Sequence, residues 1–156
     1  MATEIERKFL VAGEGWRSHP QSDGGVRYTQ GYLNRDKART VRVRVAGAQG
    51  WLTIKGQNQG ATRAEFEYPI PLTDARNLLT LCDGPLIDKT RHTLTVASTV
   101  WEVDEFHGDN AGLVVAEVEL ATEDQPFARP DWLGAEVTHD PRYFNSALIA
   151  HPYTRW

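Results

Sequence analysis

The chain has 156 residues and a mass of 17.5 kDa, room for one domain and little more, so residues 1–156 are expected to form a single unit. Hydrophobic residues make up 40% and charged residues 24%, which excludes collagen-like and disordered classes, and the single cysteine, Cys82, excludes an intramolecular disulfide. A net charge of -4 with a pI near 5.7 excludes a strongly basic nucleic-acid surface; no apolar run nears the roughly 18 residues of a membrane span, and the opening MATEIERKFLV is too charged for a secretory leader, so a cytoplasmic protein is expected.

The dominant period is two. Ile5, Arg7 and Phe9 alternate with Glu4, Glu6 and Lys8 in a first strand. Ser18–Gly25 reads as a polar, mobile loop, and Val26–Leu33 as a weaker strand. Val41, Val43 and Val45 alternate with Arg42 and Arg44. A hairpin at Gly47–Gly50 leads to Leu52 and Ile54, which alternate with Thr53 and Lys55. Gln57–Arg63 reads as a glycine-bearing loop without a role, before Phe66 and Tyr68 interleave with Glu65 and Glu67. Thr73–Cys82 reads as a helix with Thr73 as N-cap and Ala75, Leu78, Leu79 and Cys82 on one face. Leu86–Val96 is a weaker strand. Trp101 and Val103 interleave with Glu102 and Asp104, and Val114, Ala116, Val118 and Leu120 with Val115, Glu117 and Glu119. Glu123–Gly134 reads as a loop or broken helix. Asp140 and Pro141 open a last helix running to about Ala150. About eight strands and two or three helices imply an α+β domain built on an antiparallel barrel or strongly curved sheet.

The polar faces of these strands carry the information. Glu4, Glu6, Lys8, Arg42, Arg44, Lys55, Glu65, Glu67, Lys89, Arg91, Glu102, Asp104, Glu117 and Glu119 all sit at strand spacing, mostly like-signed within a strand. Neighbours at i and i+2 lie about 6.5–7 Å apart on one face. Like charges that close repel, so the acidic pairs call for a cation and the basic ones for an anion. Together they suggest a polyanion held with a divalent metal. If helices, with Trp16, Trp51 and Trp101, cover the apolar faces, the charges point into the lumen, which is tolerable only if wet, paired or filled. Carboxylates without a Cys or His cluster suit Mg²⁺ or Mn²⁺. His19, His92, His107, His139 and His151 are scattered and read as surface or local hydrogen-bonding residues. Cys82 reads as core. No nucleophile elbow, P-loop or dinucleotide fingerprint is present.

The sequence resembles the CYTH superfamily, also called triphosphate tunnel metalloenzymes. The resemblance rests on E-I-E-R-K-F-L-V (Glu4–Val11), Q-G-Y-L (Gln30–Leu33), V-R-V-R-V (Val41–Val45), L-T-I-K (Leu52–Lys55), E-F-E-Y (Glu65–Tyr68), D-K-T-R (Asp88–Arg91), W-E-V-D-E-F (Trp101–Phe106), V-A-E-V-E-L (Val115–Leu120) and G-A-E-V-T-H-D-P-R-Y-F-N (Gly134–Asn145). It is similar in particular to short bacterial members that hydrolyse inorganic tripolyphosphate, often as homodimers. The resemblance implies an eight-stranded antiparallel tunnel with a charged lumen, wrapped by helices including a C-terminal one. It implies that Lys8, Arg42, Arg44, Lys55, Lys89 and Arg91 grip the triphosphate. Glu4, Glu6, Glu117 and Glu119 would hold Mg²⁺ or Mn²⁺, while Glu65, Glu67, Glu102 and Asp104 complete the metal shell or orient the basic residues. Lys89, and Tyr32 of Q-G-Y-L, would handle the proton of the attacking water. Pro141 departs from the charged residue usual before the R-Y pair, and Arg142 reads as an anchor of the last helix. The partner implied is a small polyanion, with neither nucleic acid nor membrane. A class IV-type adenylate cyclase, a thiamine or nucleoside triphosphatase, and a polyphosphate-binding module without catalysis stay open as other uses of the scaffold.

Overall fold

The computed structural model describes residues 2–156. Nine strands form one sheet: β1 (Ala2–Val11), β2 (Val26–Asn34), β3 (Arg39–Ala46), β4 (Gln49–Gly56), β5 (Thr62–Ile70), β6 (Asp83–Val96), β7 (Thr99–Phe106), β8 (Val114–Glu119) and β9 (Leu133–Glu136). The order is β5-β4-β3-β2-β6-β7-β8-β1-β9, and β5 also pairs with β1, which closes the first eight strands into an antiparallel barrel. Strand β1 is the closing element because its edges are divided. One edge runs along β8; the other takes β5 from Ala2 to Ile5 and β9 at Phe9 and Val11. Strand β9 begins at the end of the stretch expected to be loop, Glu123–Gly134, and runs two residues past it. At four residues it is too short for alternation to betray it.

The hairpins follow from local chemistry. Gly47, at φ 59°, opens the two-residue β3–β4 connection, where a type II′ turn takes glycine. The β6–β7 connection is equally tight but uses Ala97 (φ 48°) and Ser98 (φ 67°), two side-chain-bearing residues in left-handed backbone. Segment 18–25 is pinned to β6 rather than left free: Ser22 bridges Leu94, and Asp23 and Thr93 exchange two hydrogen bonds of 3.0 Å.

Both helices differ from their sequence-based bounds. Helix α1 (Leu72–Leu79) starts from Pro71, whose carbonyl accepts the Ala75 amide; Thr73 does not cap it. The helix ends before Cys82, which is half-buried with its thiol pushed up by burial. Helix α1 packs closely on β4, where a Cβ on Gly50 would lie 2.6 Å from the Ala75 Cβ. The expected last helix is broken. Asp140 caps a 3₁₀ turn at Pro141–Tyr143, Phe144 is extended (φ -67°, ψ 135°), and α2 covers only Asn145–Ala150. The break is tertiary in origin: it turns the Tyr143 carbonyl and the Asn145 side chain toward the barrel, where Lys8 and Lys89 bond to them. No helix among the described residues is long and apolar enough to cross a membrane.

Two apolar clusters flank the lumen. The outer faces of β1, β6, β7 and β8 bury Phe9, Leu94, Trp101, Val103, Ala116 and Val118 beneath Trp16 and Trp132. Trp51, expected in this covering, lines the lumen instead. The second cluster lies on the lumen faces themselves. At one end of the barrel the rows that carry charges switch to Tyr32, Ile87, Phe106 and Val115, and these pack against Tyr143, Leu148 and Ile149. The C-terminal segment thus seats an apolar plug on that end, while the charged remainder of the rows encloses a cavity.

Candidate active site

The cavity occupies about 470 Å³ and is lined by seven cationic and seven acidic side chains. Thirteen of the fourteen charged positions singled out from the sequence face it; Asp104 lies beneath the lining, 1% exposed. Alternation and register explain the convergence. Lys8 pairs across strands with Glu117, Glu6 with Glu119, Glu102 with Glu117, and Lys55 with Glu65. Rows of one side-chain parity on every strand therefore meet in one lumen.

The basic half is tied down from below. Asp104 accepts from Lys89 Nζ at 2.7 Å and from Arg91 Nε and Nη2 at 2.8 and 2.9 Å. Burial would raise its carboxyl, but Arg91 and Lys89 outweigh burial and hold it well below the usual range. Lys89 is pushed down to about 7 by burial, with Asp104 opposing and Arg91 and Arg44 adding to the shift. Arg44 donates Nε to Gln30 Oε1 at 2.7 Å and stacks 4.7 Å over the Tyr28 ring. Burial, Arg42 and Arg91 all work against its charge, so an anion would be welcome there. Arg42 Nε is buried with no hydrogen-bond partner among the described residues, and its Nη2 reaches Thr53 at 3.2 Å. Lys8 bonds the Tyr143 carbonyl at 3.3 Å and lies 3.5 Å from Glu117.

The acidic half is unevenly neutralised. Glu4 pairs with Lys55 at 2.9 Å and Arg63 at 3.3 Å; burial opposes its ionisation, but these cations bring its carboxyl below the ordinary value. Glu65 lies 3.5 Å from Lys55, Glu67 3.6 Å from Arg42, and Glu102 3.0 Å from Arg91. Glu102 is nonetheless raised, by burial first, because Arg91 does not offset burial together with Glu117 and Asp104. Glu6 and Glu119 form no ion pair among the described residues. The Glu119 carboxyl is pushed up by burial and by Glu4, Glu65, Glu102 and Glu6. That is the electrostatic mark of a place short of positive charge.

Tyr32 lines the cavity at its plugged end and is 6% exposed. The aromatic stacked on the basic residues is Tyr28, at 4.7 Å from Arg44, 5.1 Å from Arg91 and 6.0 Å from Lys89. The sequence reading missed Tyr28, Gln30, Arg63 and Asn145. Arg63 and its neighbours Asn58, Gly60 and Ala61 line the cavity, so the 57–63 loop is part of the site. Parity on β2 and β5 was the available signal for Tyr28, Gln30 and Arg63; Asn145 lies outside any strand parity, and its only mark was as the last residue of the Gly134–Asn145 motif. The histidines stay outside: His107 bonds Thr90, His19 accepts from the Gln21 amide, and His92 packs on Trp16. Arg142 lies at the surface on Asp140 and Trp156, consistent with an anchor.

Residues 2–153 match the CYTH domain family. The chain is 49% identical over 154 residues to an inorganic triphosphatase of Acetivibrio thermocellus, covering 98% of this chain and 97% of that protein. It is 37% identical over 151 residues to an inorganic triphosphatase of Nitrosomonas europaea, covering 94% and 96%. The crystal structure of an inorganic triphosphatase superposes with a TM-score of 0.68 at 35% identity, covering 96% of this chain and 95% of that one.

Proposed function

From the premise that the chain belongs to the CYTH domain family, we propose that it hydrolyses inorganic tripolyphosphate to pyrophosphate and phosphate, with a divalent metal, in the barrel lumen. One observation carries this reading. In a single cavity, Arg42 Nε lacks an acceptor and Arg44 carries a disfavoured charge, while Glu6 and Glu119 lack a cation. A phosphate chain with a hard cation satisfies both deficits at once. The relatives named inorganic triphosphatase support the substrate.

The donor set fits Mg²⁺ or Mn²⁺. Among the described residues no three His, Cys, Asp or Glu converge as a preformed cage. Mg²⁺ needs none, since it keeps several waters and takes one or two carboxylates together with substrate phosphates. Glu6 and Glu119, with Glu4 and Glu117 beside them, would hold the ion. When bound, it supplies charge neutralisation on the phosphate oxygens and a positioned water.

Lys8, Arg42, Arg44, Lys55, Lys89 and Arg91 grip the chain, and Arg63 joins them. Arginine offers a planar fork to phosphate and lysine a point charge. Water attacks the terminal phosphorus, the bond to the bridging oxygen breaks, and the basic lining stabilises the charge that develops on the leaving pyrophosphate. Lys89, lowered by burial to about 7, takes a proton from the attacking water in its amine form. Tyr32, at the plugged end, is the second candidate for handling that proton. Glu65, Glu67, Glu102 and Asp104 orient the cations they touch, and residues 1–156 act as one domain. Trp51 and Tyr28 in the lining favour a second reading, an organic triphosphate whose appended group stacks there. The test is phosphate release from tripolyphosphate, with ATP, thiamine triphosphate and pyrophosphate alongside, in Mg²⁺, Mn²⁺ and EDTA. EDTA-sensitive release from tripolyphosphate alone supports the first reading. Release only from an organic triphosphate supports the second, and release from none refutes both.

A further inference from the structure

Two carboxamides that the phosphate chemistry does not use are wired into Lys89. Gln30 is fully buried on β2, and Asn145 opens α2, 115 residues away. Arg44 Nε donates to Gln30 Oε1 at 2.7 Å, Gln30 Nε2 donates to Asn145 Oδ1 at 3.0 Å, and Lys89 Nζ donates to that same Oδ1 at 3.0 Å. The order of these bonds cannot be reversed. Arginine is a donor only, so Gln30 must turn its oxygen toward Arg44 and its NH₂ toward Asn145. Asn145 must then present oxygen at that point, and the same oxygen faces Lys89. The guanidinium on β3 thereby dictates which end of a C-terminal amide meets the lysine on β6.

The consequence is directional. Lys89 Nζ has two protein acceptors, Asp104 Oδ2 at 2.7 Å and Asn145 Oδ1 at 3.0 Å. A neutral amine has two N–H bonds and one lone pair. With both N–H bonds committed to these two oxygens, the lone pair is left the remaining tetrahedral direction. Lys89 lines the cavity, so that direction serves a molecule inside it. Without Asn145, the amine is held by Asp104 alone and rotates about that bond.

We propose that Asn145 is a positioning residue for hydrolysis, fixing the direction of the Lys89 lone pair, and that Gln30 sets the orientation of its amide from Arg44. This rests on the reading of Lys89 as the proton acceptor in a tripolyphosphatase. It goes beyond that reading by making the C-terminal segment a working part of the site rather than a cover.

The test is steady-state kinetics on tripolyphosphate at saturating Mg²⁺, each variant at its own pH optimum, with thermal melts alongside. Asn145→Leu keeps the volume and removes the acceptor. It is expected to lower kcat about 10–100-fold, the scale of losing an orienting partner or misplacing a reacting group by an ångström, with KM moving less than about threefold. Asn145→Asp keeps the oxygen and should recover most of that kcat. Gln30→Glu preserves every heavy-atom position. A carboxylate cannot donate to Asn145, so the amide must flip and offer N–H₂ to Lys89, and kcat should fall about tenfold or more. If Asn145→Leu does not fold, the Gln30→Glu and Asn145→Asp pair still decides. A kcat within twofold of the parent for the folded Asn145→Leu and Gln30→Glu variants overturns the proposal, as does loss in Asn145→Asp equal to that in Asn145→Leu. Lys89→Ala separates the two levels. If it turns over normally, the reading of Lys89 fails and this inference with it. If it is inactive while the amide variants are not, only the positioning role fails.

Discussion

Asp104→Asn puts the buried charge cluster to the sharpest test. Asp104 is 1% exposed and takes three hydrogen bonds at 2.7–2.9 Å from Lys89 and Arg91. At an effective dielectric of about 20, unit charges that close attract by roughly 6 kcal/mol per pair. Desolvation costs several kcal/mol per ion, so the intact cluster contributes little net stability. The variant removes the attraction and keeps the desolvation. Whichever way its amide turns, NH₂ meets a donor of Arg91 or Lys89. The remaining carboxylates, Glu102 at 3.0 Å and Glu117 at 3.9 Å, serve Arg91, and Lys89 keeps only the weaker pull of Glu117 against burial. The expected loss at pH 7 is about 3–5 kcal/mol, read from urea unfolding. Its pH dependence has a definite sign. Asp104 is the main force opposing the burial that lowers Lys89 to about 7, so the variant's ammonium falls further. A lysine lowered in the folded state binds fewer protons there than in the unfolded chain, and stability rises with pH until the unfolded value near 10.5 is passed. The parent's Lys89 joins that slope above about 7, so the gap between parent and variant should narrow as pH rises toward 7 and then stay level up to about 10. Tripolyphosphate, added without metal, should raise the variant's stability more than the parent's, because it supplies the missing negative charge. A loss below about 1 kcal/mol, or a gap that does not narrow, refutes the argument.

Four further outcomes are expected. Lys89→Ala should lose most turnover while tripolyphosphate still binds, as isothermal titration would report; turnover near the parent's removes Lys89 from the mechanism. In the parent, turnover should decline as pH falls through about 7, where Lys89 gains its proton; a rate flat from pH 8 to 6 contradicts the assignment. Glu119→Ala should raise the Mg²⁺ concentration needed for half-maximal rate. It should cost no stability in EDTA, since a carboxylate raised by burial and by its acidic neighbours destabilises the fold once it ionises; an unchanged metal titration would count against the ligand role. Ser98→Gly should raise the unfolding free energy by about 1 kcal/mol, because glycine accepts the left-handed backbone at φ 67° that serine tolerates at a cost; a lowered midpoint would mean the serine side chain does something else there.

The sequence by itself determined which side chains share a face. Alternation is local geometry, so E-x-E in β1 and β8 and R-x-R in β3 had to present like charges together wherever those strands went. Such rows are stable only around compensating charge, and the charged lumen was legible for that reason. Tertiary structure alone decided how the rows are closed and who neutralises whom. Lys55 meets Glu4 across 51 residues, Lys8 meets the Tyr143 carbonyl across 135, and β1 shares one edge between β5 and β9. The break at Phe144 and the placing of Asn145 on Lys89 belong to the same class. A side chain's direction relative to its own strand is set within two residues of backbone. Its partner is set by barrel closure, register and the docking of a distant segment, and those follow from the balance of every contact in the folded chain at once.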